Sequence, residues 1–173
     1  SKGRPLGTGH FGGGSIAVRL LSFDPEEAID RAFYKRRLDA ALRLRLSCDL
    51  VRPVGSCECP NTTYRLVHGE GDSLPGLIID IYDRTAVVQA HSLGMHQARQ
   101  TIAEVLGEGY AEAGDPVEPL QGVYYKSETT LPTRDMRELA SDGFLIGHTE
   151  AAQIYENGVP LTPDWLKGQK TGF

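Results

Sequence analysis

Short apolar runs alternate with turn signals along most of the chain, and they predict more strands than helices. The runs have the length of strands, and Gly or Pro separates several of them. The predicted strands are Ile16–Leu21, Tyr64–Val67, Leu77–Ile81, Thr85–Ala90, Gly122–Lys126 and Phe144–Ile146. Gln153–Tyr155 and the residues after Gly158 predict a further hairpin, because Asn157-Gly158 is a strong signal for a tight turn.

Two segments have apolar residues at helical spacing instead. In the first, Asp24 is predicted as the N-cap, Pro25 as the first helical residue and Glu27 as the capping-box partner. Its predicted buried stripe consists of Ile29, Ala32, Phe33, Ala40 and Leu44. The second helix is predicted over Gly94–Leu106, ended by Gly107. Strands clustered around crossing helices in this way predict an α+β fold with a mixed or antiparallel sheet, not a doubly wound parallel sheet.

Composition places the chain among ordinary globular proteins. It has 173 residues, of which 40% are hydrophobic and 24% charged. No run of about 18 apolar residues is present, so we expect no membrane span, and no secretory signal is visible. The three cysteines, Cys48, Cys57 and Cys59, cannot all pair within the chain, which favours a reducing cytoplasm. Their spacing is not that of a zinc site, so we predict ordinary loop thiols and no bound metal.

Charge is distributed unevenly along the chain. Residues 1–52 contain ten Lys and Arg against six Asp and Glu, whereas residues 53–173 contain eight against seventeen. A basic front end favours contact with a polyanion such as nucleic acid. Arg31, Lys35 and Arg37 lie outside or at the edge of the predicted buried stripe, so they are candidate contacts to RNA phosphates. A solvated helix face is the alternative interpretation.

Three short motifs have a ligand-binding interpretation beside a structural one. Gly7–Gly12 fits G-x-G-x-x-G, but a strand follows it rather than the helix that a dinucleotide site needs, so we favour a flexible loop. His68, Glu70 and Asp72 alternate as in a metal or acid–base cluster, but the glycines between them favour a turn anchored by hydrogen bonds. In the tail Gly168–Phe173, Lys and Thr donors between glycines suit a ligand, and a frayed terminus is the alternative.

Two longer motifs resemble a known family. Residues Thr63–Asp80, TYRLVHGEGDSLPGLIID, are similar to the RLVhGEaDgLPGLivDrY stretch of bacterial SAM-dependent ribosomal RNA methyltransferases of the RlmI type, which have an N-terminal PUA domain. Glu156-Asn157-Gly158 followed by Gly168–Phe173, GQKTGF, resembles ENG…GQKTGFFLDQR at the entry to that family's methyltransferase domain. Ser15–Leu21 is similar to the closing strands of its PUA domain. The resemblance covers essentially the whole chain.

The resemblance implies that the chain is the middle part of a longer enzyme. Residues 1–23 would be the C-terminal strands of a PUA β-barrel, residues 24–150 a central α+β domain, and residues 151–173 the first hairpin of a Rossmann-type SAM-dependent methyltransferase domain. Family members transfer a methyl group from S-adenosylmethionine (SAM) to C5 of a cytosine in 23S ribosomal RNA, after a cysteine thiolate attacks C6. That cysteine belongs to the catalytic domain, so we expect no catalytic residue in this chain.

The same resemblance implies a cofactor and a partner. Lys170, Thr171, Gly172 and Phe173 match a segment near SAM, and ribosomal RNA is the predicted partner, with no membrane and with a homodimer left open. We expect the isolated chain to be inactive and to bind neither SAM nor RNA tightly, because both sites need residues of other domains. The alternative is a stand-alone RNA-binding or scaffolding module without catalysis.

Overall fold

The computed structural model describes residues 3–12, 16–133, 141–150 and 152–164. In chain order its elements are β1 (Thr8–Phe11), β2 (Val18–Ser22), α1 (Arg31–Ser47), β3 (Thr63–His68), a 3₁₀ turn (Gly69–Asp72), β4 (Leu77–Tyr82), β5 (Thr85–Ala90), α2 (Leu93–Gln97), α3 (Arg99–Ala113), β6 (Gly122–Tyr125), β7 (Gly143–Gly147), β8 (Ile154–Glu156) and β9 (Val159–Leu161). Within these ranges, no helix combines the length and apolar character that crossing a bilayer requires.

A five-stranded mixed sheet forms the centre of the molecule, in the order β3-β4-β5-β6-β7. Strands β5 and β6 pair in parallel, whereas the other neighbours are antiparallel. The chain passes through α2 and α3 between the two parallel strands, since a parallel pair requires a crossover connection. The predicted α+β class with a mixed sheet is therefore confirmed.

The core lies between this sheet and helices α1 and α3. Ile79 pairs with Val88, and Val88 in turn pairs with Tyr125, so one row of apolar side chains crosses three strands. Phe33 of α1 and Ile102 of α3 belong to the same buried cluster and are almost completely shielded from solvent. Burial of each such side chain stabilises the fold by about 1.5–3 kcal/mol.

Helix α1 begins later than the sequence predicts. Its N-cap is Asp30, whose carboxylate accepts a hydrogen bond from the Phe33 amide at 3.0 Å. The carboxylate of Asp24 instead accepts from the Glu26 amide at 2.9 Å in a separate turn. The predicted N-cap was therefore wrong, because the same Asp–amide hydrogen bond also stabilises an isolated turn.

The buried stripe of α1 also differs from the predicted one. The side chains that the fold buries are Phe33, Tyr34, Leu38, Ala41, Leu42 and Arg45. Ala32, Ala40 and Leu44 are exposed, so the prediction was right for Phe33 and wrong for these three. The buried face follows Tyr34, Leu38 and Ala41 at i, i+4 and i+7. Arg45 continues this face because it pairs with the carboxylate of Asp72, and no apolar pattern reveals that position.

The second predicted helix is two helices, α2 and α3, and α3 continues past Gly107 to Ala113. Gly109 lies where α3 approaches α1, and a Cβ at this position would lie 3.2 Å from a carboxylate oxygen of Asp39. Contact with α1 offsets the cost of glycine in a helix, about 1 kcal/mol per residue. The predicted end at Gly107 was therefore wrong.

The N-terminal glycines belong to a hairpin rather than to a flexible loop. Thr8–Phe11 forms β1, which pairs antiparallel with β2, and a Cβ at Gly9 would overlap the Arg19 carbonyl oxygen. The ring of His10 packs against Gly94 of α2, so the hairpin is attached to the rest of the fold. At the other end, β8 and β9 form the predicted hairpin, with positive φ angles at Asn157 and Gly158.

Candidate nucleic-acid interface

Two of the three candidate phosphate contacts face helix α3. Arg31 donates to Glu104 at 3.0 Å and also pairs with Glu108. Lys35 donates to Glu112 at 2.9 Å and lies 3.3 Å from Asp39, the next acidic residue along α1. The hydrogen bond to Glu112 raises the pKa of Lys35 above its usual range.

The three glutamates of this contact occupy every fourth position of α3, so they line one face of that helix. The positive charges of Arg31 and Lys35 are therefore balanced by carboxylates of the same chain.

Arg37 points to the other side of α1, because two residues beyond Lys35 correspond to a turn of about 200° around the helix. Its guanidinium carbon lies 5.3 Å from the centroid of the Phe33 ring, and one terminal nitrogen approaches the Leu21 carbonyl oxygen at 3.5 Å. The Nε atom of Arg37 is buried and has no hydrogen-bond partner among the described residues. Arg37 therefore differs from Arg31 and Lys35 in having no carboxylate partner in the described ranges.

Arg37 lines a groove of about 500 Å³ between β2, α1 and the turn after β3, which we call the β2–α1 groove. Its lining residues are Ile16, Val18, Arg19, Leu20, Leu21, Phe23, Arg37, Glu70, Ser73 and Pro75. The backbone of Arg19 pairs with that of His10 in the β1–β2 hairpin, but its guanidinium makes no hydrogen bond or ion pair with a described residue. The groove thus combines two arginines with apolar walls and, among these lining residues, a single carboxylate.

The turn after β3 is held by the anchoring that the sequence predicts. Asp72 accepts a hydrogen bond from the His68 amide at 2.6 Å and pairs with both terminal nitrogens of Arg45. Burial acts to raise the pKa of Asp72, but the hydrogen bonds from Arg45 and His68 outweigh it, and the pKa lies below its usual value. The predicted hydrogen-bonded turn is confirmed.

Asn61 and Arg52 attach the β8–β9 hairpin to the central domain. The Asn61 side chain accepts from the Asn157 amide at 2.9 Å, and Arg52 donates to the Asn157 side chain at 2.7 Å. Thr62 and Tyr155 exchange two further hydrogen bonds. The sequence analysis missed this attachment, because polar residues in a loop give no signal of the distant strand that they contact.

The structure forms no cofactor or metal site from the other candidate residues within the described ranges. Lys170, Thr171, Gly172 and Phe173 lie outside the described residues. Cys48, Cys57 and Cys59 are exposed free thiols. In the described part of the chain, no three His, Cys, Asp or Glu side chains are grouped as metal ligands.

The fold is similar to a part of two solved structures. The chain aligns with a protein described as a SAM-dependent methyltransferase from Streptococcus mutans, with a TM-score of 0.66 and 19% identity, over 90% of this chain and 35% of that one. The same values hold for SMU.776, a protein described as a methyltransferase and solved in complex with SAH. This likeness concerns the fold alone.

Sequence relatives are more specific. The chain is 38% identical over 99% of its length to "Ribosomal RNA large subunit methyltransferase I" of Shewanella amazonensis, and 37% identical over 99% to that of Shewanella denitrificans. The protein of the same name from Aliivibrio fischeri is 32% identical over 91% of the chain. These relatives confirm the predicted resemblance to the RlmI type, and the chain spans about 40% of the length of the first two. No protein-family profile matches the chain.

Proposed function

We propose that the full-length protein containing this chain transfers a methyl group from SAM to large-subunit ribosomal RNA. The observation that carries this proposal is the identity of 38% over 99% of the chain to proteins named for that activity. Similarity of this extent supports a shared fold and a shared chemical role, although function resides in the site rather than in the fold.

The finer proposal follows the resemblance in domain order and in chemistry. Residues 1–23 end a PUA domain, residues 24–150 form the central domain, and residues 151–173 begin the catalytic domain, which methylates C5 of a cytosine. The central domain links the other two and positions RNA. Support comes from the β8–β9 hairpin, which Asn61 and Arg52 fasten to the central domain where the catalytic domain would begin.

For the cofactor, we propose that Lys170, Thr171, Gly172 and Phe173 lie near bound SAM. SAM supplies the methyl group, and the residues that perform the transfer belong to the catalytic domain. Calorimetry of the isolated chain with SAM is expected to show no micromolar binding. Micromolar binding would contradict the proposed division between domains.

For RNA, we propose that Arg31, Lys35 and Arg37 contribute phosphate contacts to different degrees. We expect Arg37 to contribute most, because carboxylates of α3 already balance Arg31 and Lys35. Reversing all three charges in the full-length protein should weaken RNA binding and flatten its salt dependence. An unchanged salt slope would show that this helix is a solvated face.

The transfer experiment uses the full-length protein, tritiated-methyl SAM and unmodified 23S ribosomal RNA. We expect tritium in the RNA and 5-methylcytidine among its nucleosides by mass spectrometry, with 16S RNA as the negative control. Methylation at another atom would retain the methyltransferase and overturn the cytosine-C5 proposal. Absence of any transfer would favour the alternative, a non-catalytic RNA-binding or scaffolding module.

A further inference from the structure

We propose that Arg52 is a positioning residue for methyl transfer, because it fixes the β8–β9 hairpin relative to the C-terminal end of helix α1. This inference rests on the proposed function, since it takes the hairpin as the start of the catalytic domain and α1 as a helix that contacts RNA. It goes further by giving a residue of the central domain an effect on the rate of transfer, separate from any effect on RNA affinity.

The Arg52 guanidinium joins three separate segments of the chain. One terminal nitrogen donates to the Asp49 carbonyl oxygen at 2.7 Å and to the Asp49 carboxylate at 3.1 Å, just beyond the end of α1. The Nε atom donates to the Cys59 carbonyl oxygen at 2.9 Å, and the other terminal nitrogen donates to the Asn157 side chain at 2.7 Å. A guanidinium is planar, so donation from all three nitrogens fixes its orientation as well as its position. Arg52 therefore connects the end of α1 to the turn of the hairpin.

The turn of the hairpin is also held by its backbone. The Asn157 amide donates to the Asn61 side chain at 2.9 Å, and the Gly158 amide donates to the Pro60 carbonyl oxygen at 2.8 Å. Gly158 has a positive φ of 85°, and a Cβ at this position would lie 3.4 Å from the Cα atom of Cys59. The two main chains thus lie in close contact, so the hairpin follows the central domain as one unit.

The donors of Arg52 are already used within the chain. Its charge is balanced by the Asp49 carboxylate, and a phosphate would have to displace hydrogen bonds that all three nitrogens make. The Asp49 side chain is 80% exposed, and so exposed an ion pair adds little to stability. Loss of the Arg52 side chain is therefore expected to change RNA affinity and folding only slightly.

Reaction between two bound molecules is sensitive to small changes of geometry. The reacting atoms must lie about 3–3.5 Å apart and aligned, and a displacement of about 1 Å can slow a reaction about 100-fold. In the proposed function, α1 contacts RNA and the catalytic domain binds SAM. The connection through Arg52 lies between these two parts, so we expect its loss to act on kcat.

The test measures methyl transfer from SAM to unmodified 23S RNA by the full-length protein with Arg52→Ala, Asn157→Gly or both substitutions. Initial rates at saturating SAM give kcat and KM for RNA, filter binding gives RNA affinity, and calorimetry gives SAM affinity and stoichiometry. The stoichiometry reports the folded fraction of each variant.

Two further variants serve as controls. Arg99→Ala is the matched control, because Arg99, like Arg52, donates to a carbonyl oxygen three positions before it, that of His96 at 2.8 Å. Arg99 lies at the start of α3. Asn157→Asp keeps an oxygen that accepts from Arg52 and a residue type that tolerates positive φ.

We expect Arg52→Ala to lower kcat about tenfold, with KM for RNA, both affinities and the SAM stoichiometry close to those of the unaltered protein. Asn157→Gly should lower kcat several-fold. The double variant should lower kcat no further than Arg52→Ala alone, because both substitutions remove the same hydrogen bond. Asn157→Asp and Arg99→Ala should keep kcat within about twofold.

The inference is overturned if Arg52→Ala raises KM for RNA and leaves kcat unchanged, since Arg52 would then contact RNA directly. It is also overturned if the two effects on kcat multiply in the double variant, or if Arg99→Ala lowers kcat as much as Arg52→Ala. Equal kcat and KM in the unaltered protein and Arg52→Ala would overturn the inference and leave the proposed function standing. An unaltered protein that does not methylate 23S RNA would overturn the proposed function itself.

Discussion

Helix α1 forms ion pairs near both of its ends, and the two sets differ in burial. Near the C-terminal end, the side chains of Arg45 and Asp72 are 11% and 5% exposed, and Arg45 also donates to the Arg65 carbonyl oxygen at 2.9 Å. At the N-terminal end, the side chains of Arg31 and Glu104 are each 46% exposed. Water competes for the second pair and hardly at all for the first.

This difference separates a buried charge, which needs its partner because the fold shields it from water, from exposed charges that water can solvate alone. A buried pair contributes little beyond an apolar replacement, but removing one partner leaves the other charge desolvated. An exposed pair loses little when one partner is removed, because water replaces it. The Arg45–Asp72 pair also connects α1 to the turn after β3, which forms one wall of the β2–α1 groove.

The largest effect is expected for Asp72→Ala. The buried Arg45 guanidinium then loses its carboxylate, and we expect the free energy of unfolding to fall by about 3 kcal/mol. Urea denaturation of the chain measures this change.

The matched control is the double variant Arg45→Met with Asp72→Leu, which removes both charges and should lose less than Asp72→Ala alone. If the double variant is the less stable one, the pair itself stabilises the fold and our interpretation of its burial is wrong.

Acid should weaken the same contact. The folded-state pKa of Asp72 lies below its ordinary value, so its stabilisation is present above about pH 4, the pKa of an unfolded aspartate, and is lost as pH falls through the lower folded value. We expect the stability difference between the unaltered chain and Asp72→Asn to shrink below pH 4, as measured by urea midpoints from pH 7 to 2.5. A difference that is constant over this range would refute the assignment.

A smaller loss is expected for Asn61→Ala. Its amide donates to the Leu50 and Thr63 carbonyl oxygens, and its oxygen accepts from the Asn157 amide. Leaving these buried groups unpaired should cost about 2 kcal/mol of unfolding free energy and expose the β8–β9 hairpin to faster hydrogen exchange.

Asn157→Gly serves as the control for this prediction. Glycine tolerates the positive φ of 48° at this position. The substitution therefore removes only the exposed hydrogen bond that Arg52 donates to the Asn157 side chain. Equal acceleration of hydrogen exchange in both variants would mean that Asn61 does not anchor the hairpin.

The smallest effect is expected for Arg31→Ala. Removing an exposed cation that pairs with Glu104 and Glu108 should change the free energy of unfolding by at most about 0.5 kcal/mol, and less at high salt. Glu104→Gln should change the free energy of unfolding by a similarly small amount. A loss near that of Asp72→Ala would remove the distinction between the two ends of α1.

Local patterns were sufficient for most of the sheet. Thr85–Ala90 was predicted to the residue, and Leu77–Ile81 differed from β4 by one residue at the end. The Asn157-Gly158 turn was right because positive φ angles at both positions are a local property of those residues. The resemblance in Thr63–Asp80 was likewise a property of the sequence alone, and the relatives confirm it.

The helices and the charges depended on distant partners. The burial of Arg45 depends on Asp72, which is 27 positions away in the sequence. Helix α3 continues beyond Gly107, where Glu108 and Glu112 pair with Arg31 and Lys35 of α1. Helical spacing made Arg31, Lys35 and Arg37 equal candidates for phosphate contacts. In the structure, carboxylates of α3 pair with Arg31 and Lys35 but not with Arg37.

The sequence by itself thus determined the α+β class, all the described strands except β1 and the kinship with RlmI-type proteins, because periodicity, turn residues and motifs are encoded locally. Only the tertiary structure decided which cations are balanced and which line the β2–α1 groove. The interaction energy of a charge depends mainly on the groups within a few ångströms of it, and these groups come from distant parts of the chain that only folding brings together.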